Sequence, residues 1–260
     1  MHLTCDLIDE VAPALGLVVL QVDQRIESDF RRMLPSGVTL HVTRVPSGRD
    51  VTPDTLQQME ADIPGAVGLL PPAARFRAIG YACTSGAAQI GSARVAELVH
   101  GAAAVDAVTD PLVALLAACK TLGIGRLALV SPYIASVSGQ LRKALAAEGI
   151  ETAAFGSFDV AEEARVARIS KESLRAAARQ LAAQRGVDGL FMSCTNLDTL
   201  DIIAPLEAEL GIPVLSSNQV LAWHFCQLAS LDPVAAAPGI LFCAGNPSGT
   251  FTLSGSDIEA

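Results

Sequence analysis

The feature that most constrains the fold of this chain is a pattern that occurs twice. Leu17-Val18-Val19-Leu20 is a short apolar run suited to a buried strand. A polar turn follows, then a helix-like run over 26–34 that stops at Pro35-Ser36-Gly37, then a second strand pattern over 38–42. From residue 127 the same order returns. Leu127-Ala128-Leu129-Val130 reads as a strand, Ser131-Pro132-Tyr133 as a turn, and 137–147 as a helix stopped by Gly149; another strand begins at 150–155. Further along, 76–82 is a strand pattern ending in Cys83-Thr84-Ser85-Gly86, and 189–193 is one ending in Cys194-Thr195-Asn196. Leu20 precedes Cys83 by 63 positions and Val130 precedes Cys194 by 64. Matched order, spacing and tripeptide identify an internal duplication.

The remaining segments complete each half. Thr52-Pro53-Asp54-Thr55 caps a helix reaching Met59, and Thr109-Asp110-Pro111 opens another that runs through Thr121. In the second half, 173–184 is a helix before the Cys194 strand and 200–210 a helix after it. A late strand at 211–215 leads through Ser216-Ser217-Asn218 into a helix carrying Trp223. Strands alternating with helices predict an α/β fold: two similar lobes with parallel sheets, related by a pseudo-twofold, with the active site in the cleft between them. The chain is expected to cross back, giving a first lobe of residues 1–118 plus 216–260 and a second of 119–215.

Composition narrows the function classes. Half of the 260 residues are apolar and aromatics are few, which suits close helix–sheet packing. A net charge of −9 argues against nucleic acid or an anionic membrane as partner, since both reward clustered Lys and Arg. The N-terminus lacks the basic-then-apolar pattern of a signal peptide and no run is long enough to span a bilayer, so a cytoplasmic address is expected. The six cysteines have no CxxC spacing and no clustered histidines, so they read as thiols and no metal is expected. The three lysines, Lys120, Lys143 and Lys171, lie in polar stretches, which speaks against a pyridoxal Schiff base; no cofactor is expected. Cys5, Cys119, Cys226 and Cys243 read as small core residues. Arg31 and Arg32 read as a solvated helix face, and His224 as a packed or exposed histidine without catalytic work.

In an open parallel sheet, ligands bind beyond the carboxyl ends of strands, where both Cys-Thr motifs fall. A cysteine at a helix N-terminus gains thiolate character from unpaired N–H groups and the dipole. The same N–H groups, with Thr84, Ser85, Thr195 and Asn196, can hold a substrate carboxylate. A pseudo-twofold sets Cys83 and Cys194 on opposite faces of a flat intermediate, one removing a proton or attacking carbon and the other delivering a proton.

At Gly80-Tyr81-Ala82-Cys83-Thr84-Ser85-Gly86, Ser131-Pro132-Tyr133, Ser193-Cys194-Thr195-Asn196 and Ser216-Ser217-Asn218-Gln219 the chain resembles the aspartate/glutamate racemase superfamily, in its maleate cis–trans isomerase and arylmalonate decarboxylase branch. Val22-Asp23-Gln24, Phe30-Arg31-Arg32 and 43–48 further resemble the ectoine-utilisation protein A group. The resemblance implies two lobes, a catalytic thiol in each, and Tyr133 donating to a substrate carboxylate. Decarboxylases of the branch keep only the second-lobe thiol, so two thiols favour isomerase or racemase chemistry. Where maleate isomerases carry two asparagines, this chain has Asp23 and Glu163. An ionised acid repels a carboxylate and attracts an amino group. The expected substrate is therefore a small carboxylate, an amino acid or a diaminobutyrate-type intermediate of ectoine breakdown, handled by a cofactor-independent isomerase or racemase, with a homodimer compatible. The alternatives are a maleate isomerase, an arylmalonate-type decarboxylase using Cys194 alone, and a small-molecule binding protein.

Overall fold

Charge-free runs of Ala, Val and Leu can be exposed on neither face of a sheet, and in the computed structural model, which describes residues 2–7 and 14–244, they become the inner strands of two parallel sheets. In the first half, β1 (Ala14–Leu20), α1 (Ile26–Met33), β2 (Thr39–Val45), α2 (Pro53–Val67) and β3 (Phe76–Ala82) are followed by α3 (Thr84–Ile90), α4 (Ser92–Ala102), β4 (Val105–Thr109) and α5 (Pro111–Leu122). In the second half come β5 (Arg126–Ser131), α6 (Ala135–Ala147), β6 (Glu151–Ser157), α7 (Glu163–Val166), α8 (Lys171–Ala182), β7 (Gly189–Met192), α9 (Leu200–Leu210), β8 (Val214–Ser216), α10 (Ser217–Ala229) and α11 (Ile240–Ala244). The sheet orders, β2-β1-β3-β4 and β6-β5-β7-β8, are the same order four strands apart, as the duplicated pattern requires. No helix among the described residues is long and apolar enough to cross a membrane.

Two stretches differ from the sequence reading. Helix α2 does not stop at Met59: it continues through Pro64 to Val67, because Ile63, Ala66 and Val67 bury one face against the first sheet. That burial outweighs the hydrogen bond which proline removes. Residues 84–109 hold two helices and an edge strand for which no pattern was assigned, the helices divided at Gly91, whose φ of +93° suits glycine. The sheets change over after α5, which runs across the 118/119 boundary. Of the 216–260 segment, residues 245–260 lie outside the described residues, as do 1 and 8–13 of the first lobe.

After β8 the chain crosses back, and α10 packs on α1, α5 and β3 of the first half. Phe225 of α10 meets Phe30 of α1 edge to face, 5.8 Å between ring centres. Gly80 makes this approach feasible, since a Cβ there would lie 2.6 Å from the Phe225 ring. Asn218 of α10 donates through Nδ2 to Asp29 of α1 and to the Thr195 carbonyl, both at 2.7 Å. Arg32 is not merely solvated, for it pairs with Asp201 of α9. Main-chain bonds from Val51 to Ala161 (2.9 Å) and from Glu163 to Arg49 (3.3 Å) tie the loop after β2 to the segment leading into α7.

Two stability measurements follow. Gly80→Ala overpacks the Phe225 contact and should lower stability by about 1–3 kcal/mol in urea unfolding; an unchanged midpoint would mean that the ring has room to move. Burial pushes the Asp29 carboxyl up to about 6. The folded state then binds a proton that the unfolded chain releases at ordinary carboxylate pH, so acidification through that interval favours folding. Relative to Asp29→Asn, the wild type should gain roughly 2 kcal/mol as pH falls from 7 to 4. A pH-independent difference would show that Asp29 does not titrate there.

Candidate active site

The carboxyl ends of the inner strands face one another across the lobe boundary, and the residues singled out by the duplication meet there. Cys83 caps α3, its Sγ accepting from the Gly86 N–H at 3.1 Å. Cys194 follows β7, and its Sγ accepts from the Asn196 N–H at 3.3 Å. Cys194 does not sit at a helix N-terminus as expected, because α9 begins only at Leu200 and a turn intervenes. One hydroxyl joins the two motifs: Ser217 Oγ lies 2.8 Å from Thr84 Oγ1 and accepts from the Cys194 N–H at 3.0 Å. Ser217 stands at the first turn of α10, so the returning helix completes the site.

The second-lobe thiol belongs to a chain of polar groups. Tyr133 Oη is 2.9 Å from Cys194 Sγ and donates a short hydrogen bond to Glu163 Oε1. Glu163 Oε2 accepts from Asn196 Nδ2 at 3.0 Å, and Asn196 Oδ1 accepts from the Gln24 N–H at 3.0 Å. Both Glu163 oxygens are thus occupied. Asp23 differs. Its Oδ1 accepts from the Arg25 and Ile26 N–H groups at 2.8 and 2.9 Å and so secures the start of α1. Its Oδ2 is buried and has no hydrogen-bond partner among the described residues. Arg44 grips the loop that carries Asp23, donating to the carbonyls of Leu20, Gln21 and Asp23. Thr195 Oγ1 reaches the Ala82 carbonyl at 3.5 Å, across the boundary, and Ser85 is buried beside Cys83 on α3.

Electrostatics overturn the expectation of ready-made thiolates. Cys83 and Cys194 are 5% and 4% exposed. Burial pushes the Cys83 thiol up to about 12 and the Cys194 thiol well above its ordinary value, and the charges of Glu163 and Asp23 add to both shifts. The N–H donors pull the other way but are outweighed. Burial likewise raises Glu163, with Asp23 adding to the effect. In this closed arrangement both thiols rest protonated.

Four residues here carried no assigned role in the sequence reading: Ser217, Asn218, Asp29 and Tyr81. Tyr81 is fully buried with its hydroxyl beside the Cys83 thiol, and Gly86 leaves room for both, since a Cβ there would lie 2.5 Å from Tyr81 Oη and 2.9 Å from Cys83 Sγ. The sequence signal was present in the quoted motifs, where Tyr81 precedes Cys83 by two and Ser217 follows the last strand. Outside the site, Cys119 and Cys226 are buried as read, whereas Cys5 and Cys243 are exposed; Cys5 lies in a segment ahead of the first sheet and Cys243 on the short outer helix α11. His224 Nδ1 is 2.8 Å from Thr109 Oγ1, away from the thiols.

The family model for arylmalonate decarboxylase matches residues 95–242. A maleate isomerase of Nocardia farcinica is 30% identical over 238 residues, 86% of this chain and 92% of that protein. A solved structure of a Nocardia farcinica maleate cis–trans isomerase, a cysteine-to-serine variant with a covalently bound succinylcysteine intermediate, superposes with a TM-score of 0.78 at 27% identity, covering 88% of this chain and 98% of the other. A liganded variant of arylmalonate decarboxylase shares the fold at a TM-score of 0.80 and 24% identity, covering 89% and 99%. With more than half its length matched by one family model and 86% of it by a maleate isomerase, the chain belongs to the arylmalonate decarboxylase family, in the maleate isomerase and arylmalonate decarboxylase branch of the aspartate/glutamate racemase superfamily.

Proposed function

We propose that this protein is a cofactor-independent isomerase that works on a small carboxylate through Cys83 and Cys194. The observation that carries this reading is the Ser217 bridge, which ties one thiol motif of each lobe into a single buried site. A flat intermediate held between the lobes would present one face to each sulfur. One sulfur, as thiolate, takes a proton from carbon or adds to it, and the other, as thiol, returns a proton from the far side. The succinylcysteine held by the Nocardia variant supports addition to carbon as one form of the first step. The Thr84, Ser85 and Thr195 hydroxyls beside the thiol motifs are the groups offered to a carboxylate; the Tyr133 hydroxyl, expected from the sequence to donate to the substrate, donates to Glu163 instead, as does Asn196 Nδ2.

The orphaned Oδ2 of Asp23 bears on the substrate. A buried carboxylate oxygen without a partner is costly, and a second carboxylate placed against it would raise that cost. A protonated amino group would supply the missing donors and the opposite charge. The substrate class that fits is a carboxylate with an ammonium group, an amino acid or close relative. A dianion such as maleate fits this corner less well.

The test is deuterium incorporation from solvent at the carbon next to the carboxylate, offered on amino acids and on dicarboxylates. The wild type should exchange an amino acid, and Cys83→Ala and Cys194→Ala should each lose at least a hundredfold in rate. Loss in Cys194→Ala alone would favour a one-thiol decarboxylase. Turnover of maleate in preference to every amino acid would sink the ammonium assignment and leave the two-thiol mechanism standing. No exchange and no turnover with either class would remove the case for an enzyme of this kind.

A further inference from the structure

We propose that Glu163 acts on Cys194 through Tyr133, as the acceptor of a two-step proton relay from thiol to phenol to carboxylate. This goes beyond the two-thiol reading, resting only on Cys194 as the acting group and not on any substrate.

The argument starts from the hydrogens available. A tyrosine hydroxyl has one proton to donate, and that of Tyr133 is directed at Glu163 Oε1. The contact between Tyr133 Oη and Cys194 Sγ at 2.9 Å must then be filled by the thiol proton, with the phenol oxygen accepting. The resting order is S–H to O–H to carboxylate, with every donor pointing toward Glu163. If each proton moves one place along, the S–H and the original Tyr133 O–H bonds break, and a new Tyr133 O–H and a Glu163 Oε1–H form. Cys194 becomes a thiolate, Tyr133 stays neutral and now donates to it, and Glu163 becomes a neutral acid. No proton enters or leaves the site and no co-reactant is needed.

Charge conservation is what makes this route preferable to loss of a proton to water. Direct ionisation of Cys194 would place a thiolate beside an ionised Glu163 with Asp23 nearby, three negative groups in a buried space. The relay keeps the number of charges constant and moves one of them across the two hydrogen bonds of Tyr133, from Glu163 Oε1 to Cys194 Sγ. Asn196 Nδ2 fixes the other Glu163 oxygen, so the carboxylate presents Oε1 to Tyr133 in a set orientation. The first-lobe thiol lacks this wiring. Tyr81 lies beside Cys83, but its hydroxyl is directed at Met59 Sδ, 3.7 Å away, which cannot take a proton to any useful extent. Among the described residues, Cys194 alone of the two thiols is linked through a phenol to a carboxylate.

The charged and titratable groups that face Glu163 are Tyr133, Asp23, Cys83 and Cys194. The relay has a signature in pH that mere proximity lacks. A thiolate made by internal transfer has a population independent of pH once Glu163 is ionised, whereas a thiolate made by release to solvent grows about tenfold per pH unit. The experiment is peptide-resolved alkylation with iodoacetamide from pH 6 to 9 on the full chain, in wild type, Glu163→Gln and Tyr133→Phe. Exposed Cys5 reports the reagent's ordinary response in the same samples. In the wild type, the Cys194 rate should level off and vary less than about twofold per unit above the plateau. In both variants it should rise about tenfold per unit. If Glu163→Gln fails to fold, Tyr133→Phe, which removes a single oxygen, decides alone. The relay is overturned if wild-type Cys194 climbs tenfold per unit throughout, or if Glu163→Gln only accelerates it by a constant factor, as expected of a carboxylate that simply repels the thiolate. A Cys194 that stays unmodified in every variant also overturns it, since an internal base must yield a reactive sulfur. None of these outcomes involves turnover, so failure of the relay is distinguishable from failure of the isomerase reading.

Discussion

The return of α10 to the first lobe holds the molecule in its working form. Two parallel sheets with the same strand order have no intrinsic reason to face one another. They do so because the chain leaving the second sheet enters a helix whose apolar residues are buried against α1, α5 and β3. Ten of its thirteen residues are buried, and most of the polar groups among them find partners inside the protein, Asn218 Oδ1 and Trp223 Nε1 having none among the described residues. Ser216 and Gln219 form a reciprocal cap, Ser217 joins Thr84 to the Cys194 N–H, and Asn218 links Asp29 to Thr195. The residues that anchor the helix are therefore also the ones that align the two thiol motifs.

That arrangement explains why burial dominates the electrostatics. The site collects two thiols and two carboxyl groups in a space from which the closed lobes exclude water. Each group would lower its own energy by being neutral, and each negative charge raises the others. A polar cluster of this kind is stable when its members share protons and donors, and unstable when any one is left alone. Glu163 is fully partnered by Tyr133 and Asn196, while Asp23 keeps one oxygen without a donor among the described residues. The two acids that look alike in the sequence thus differ in space: both oxygens of Glu163 are held by hydrogen bonds, whereas Asp23 uses one oxygen to secure the start of α1.

How far the sequence reveals this depends on the range of the interaction. The inner strands, the helix α9 and the two cysteine motifs are local patterns or repeats of local patterns, and they were legible. Residues 84–109 were not, because short Ala-rich helices and a half-buried edge strand have weak periodicity. The end of α2 was obscured by Pro64, whose cost is offset only by contacts with a sheet that a local reading does not see. Within the site, Cys83 and Cys194 were found because they end repeated strand patterns, whereas Tyr133, Asp23 and Glu163 were reached only through the family resemblance. Ser217 was not given a role, since a serine at a strand–helix junction is an ordinary cap until a second lobe is placed against it. The thiol ionisation was misread for a similar reason: an N–H donor is local and visible, but the loss of solvent is a property of the assembled lobes.

The duplication has one further consequence. Counted along the repeat, the place of Asp23 after β1 is taken by Tyr133 after β5, so equivalent positions carry an acid in one half and a phenol in the other. A pocket with true twofold symmetry would treat the two faces of a planar guest alike and could not tell an orientation from its reverse. Here the halves have diverged at the very positions that border the sulfurs. The scaffold is symmetric while its interior is handed: one half presents an acid and the other a phenol at the same place in the repeat.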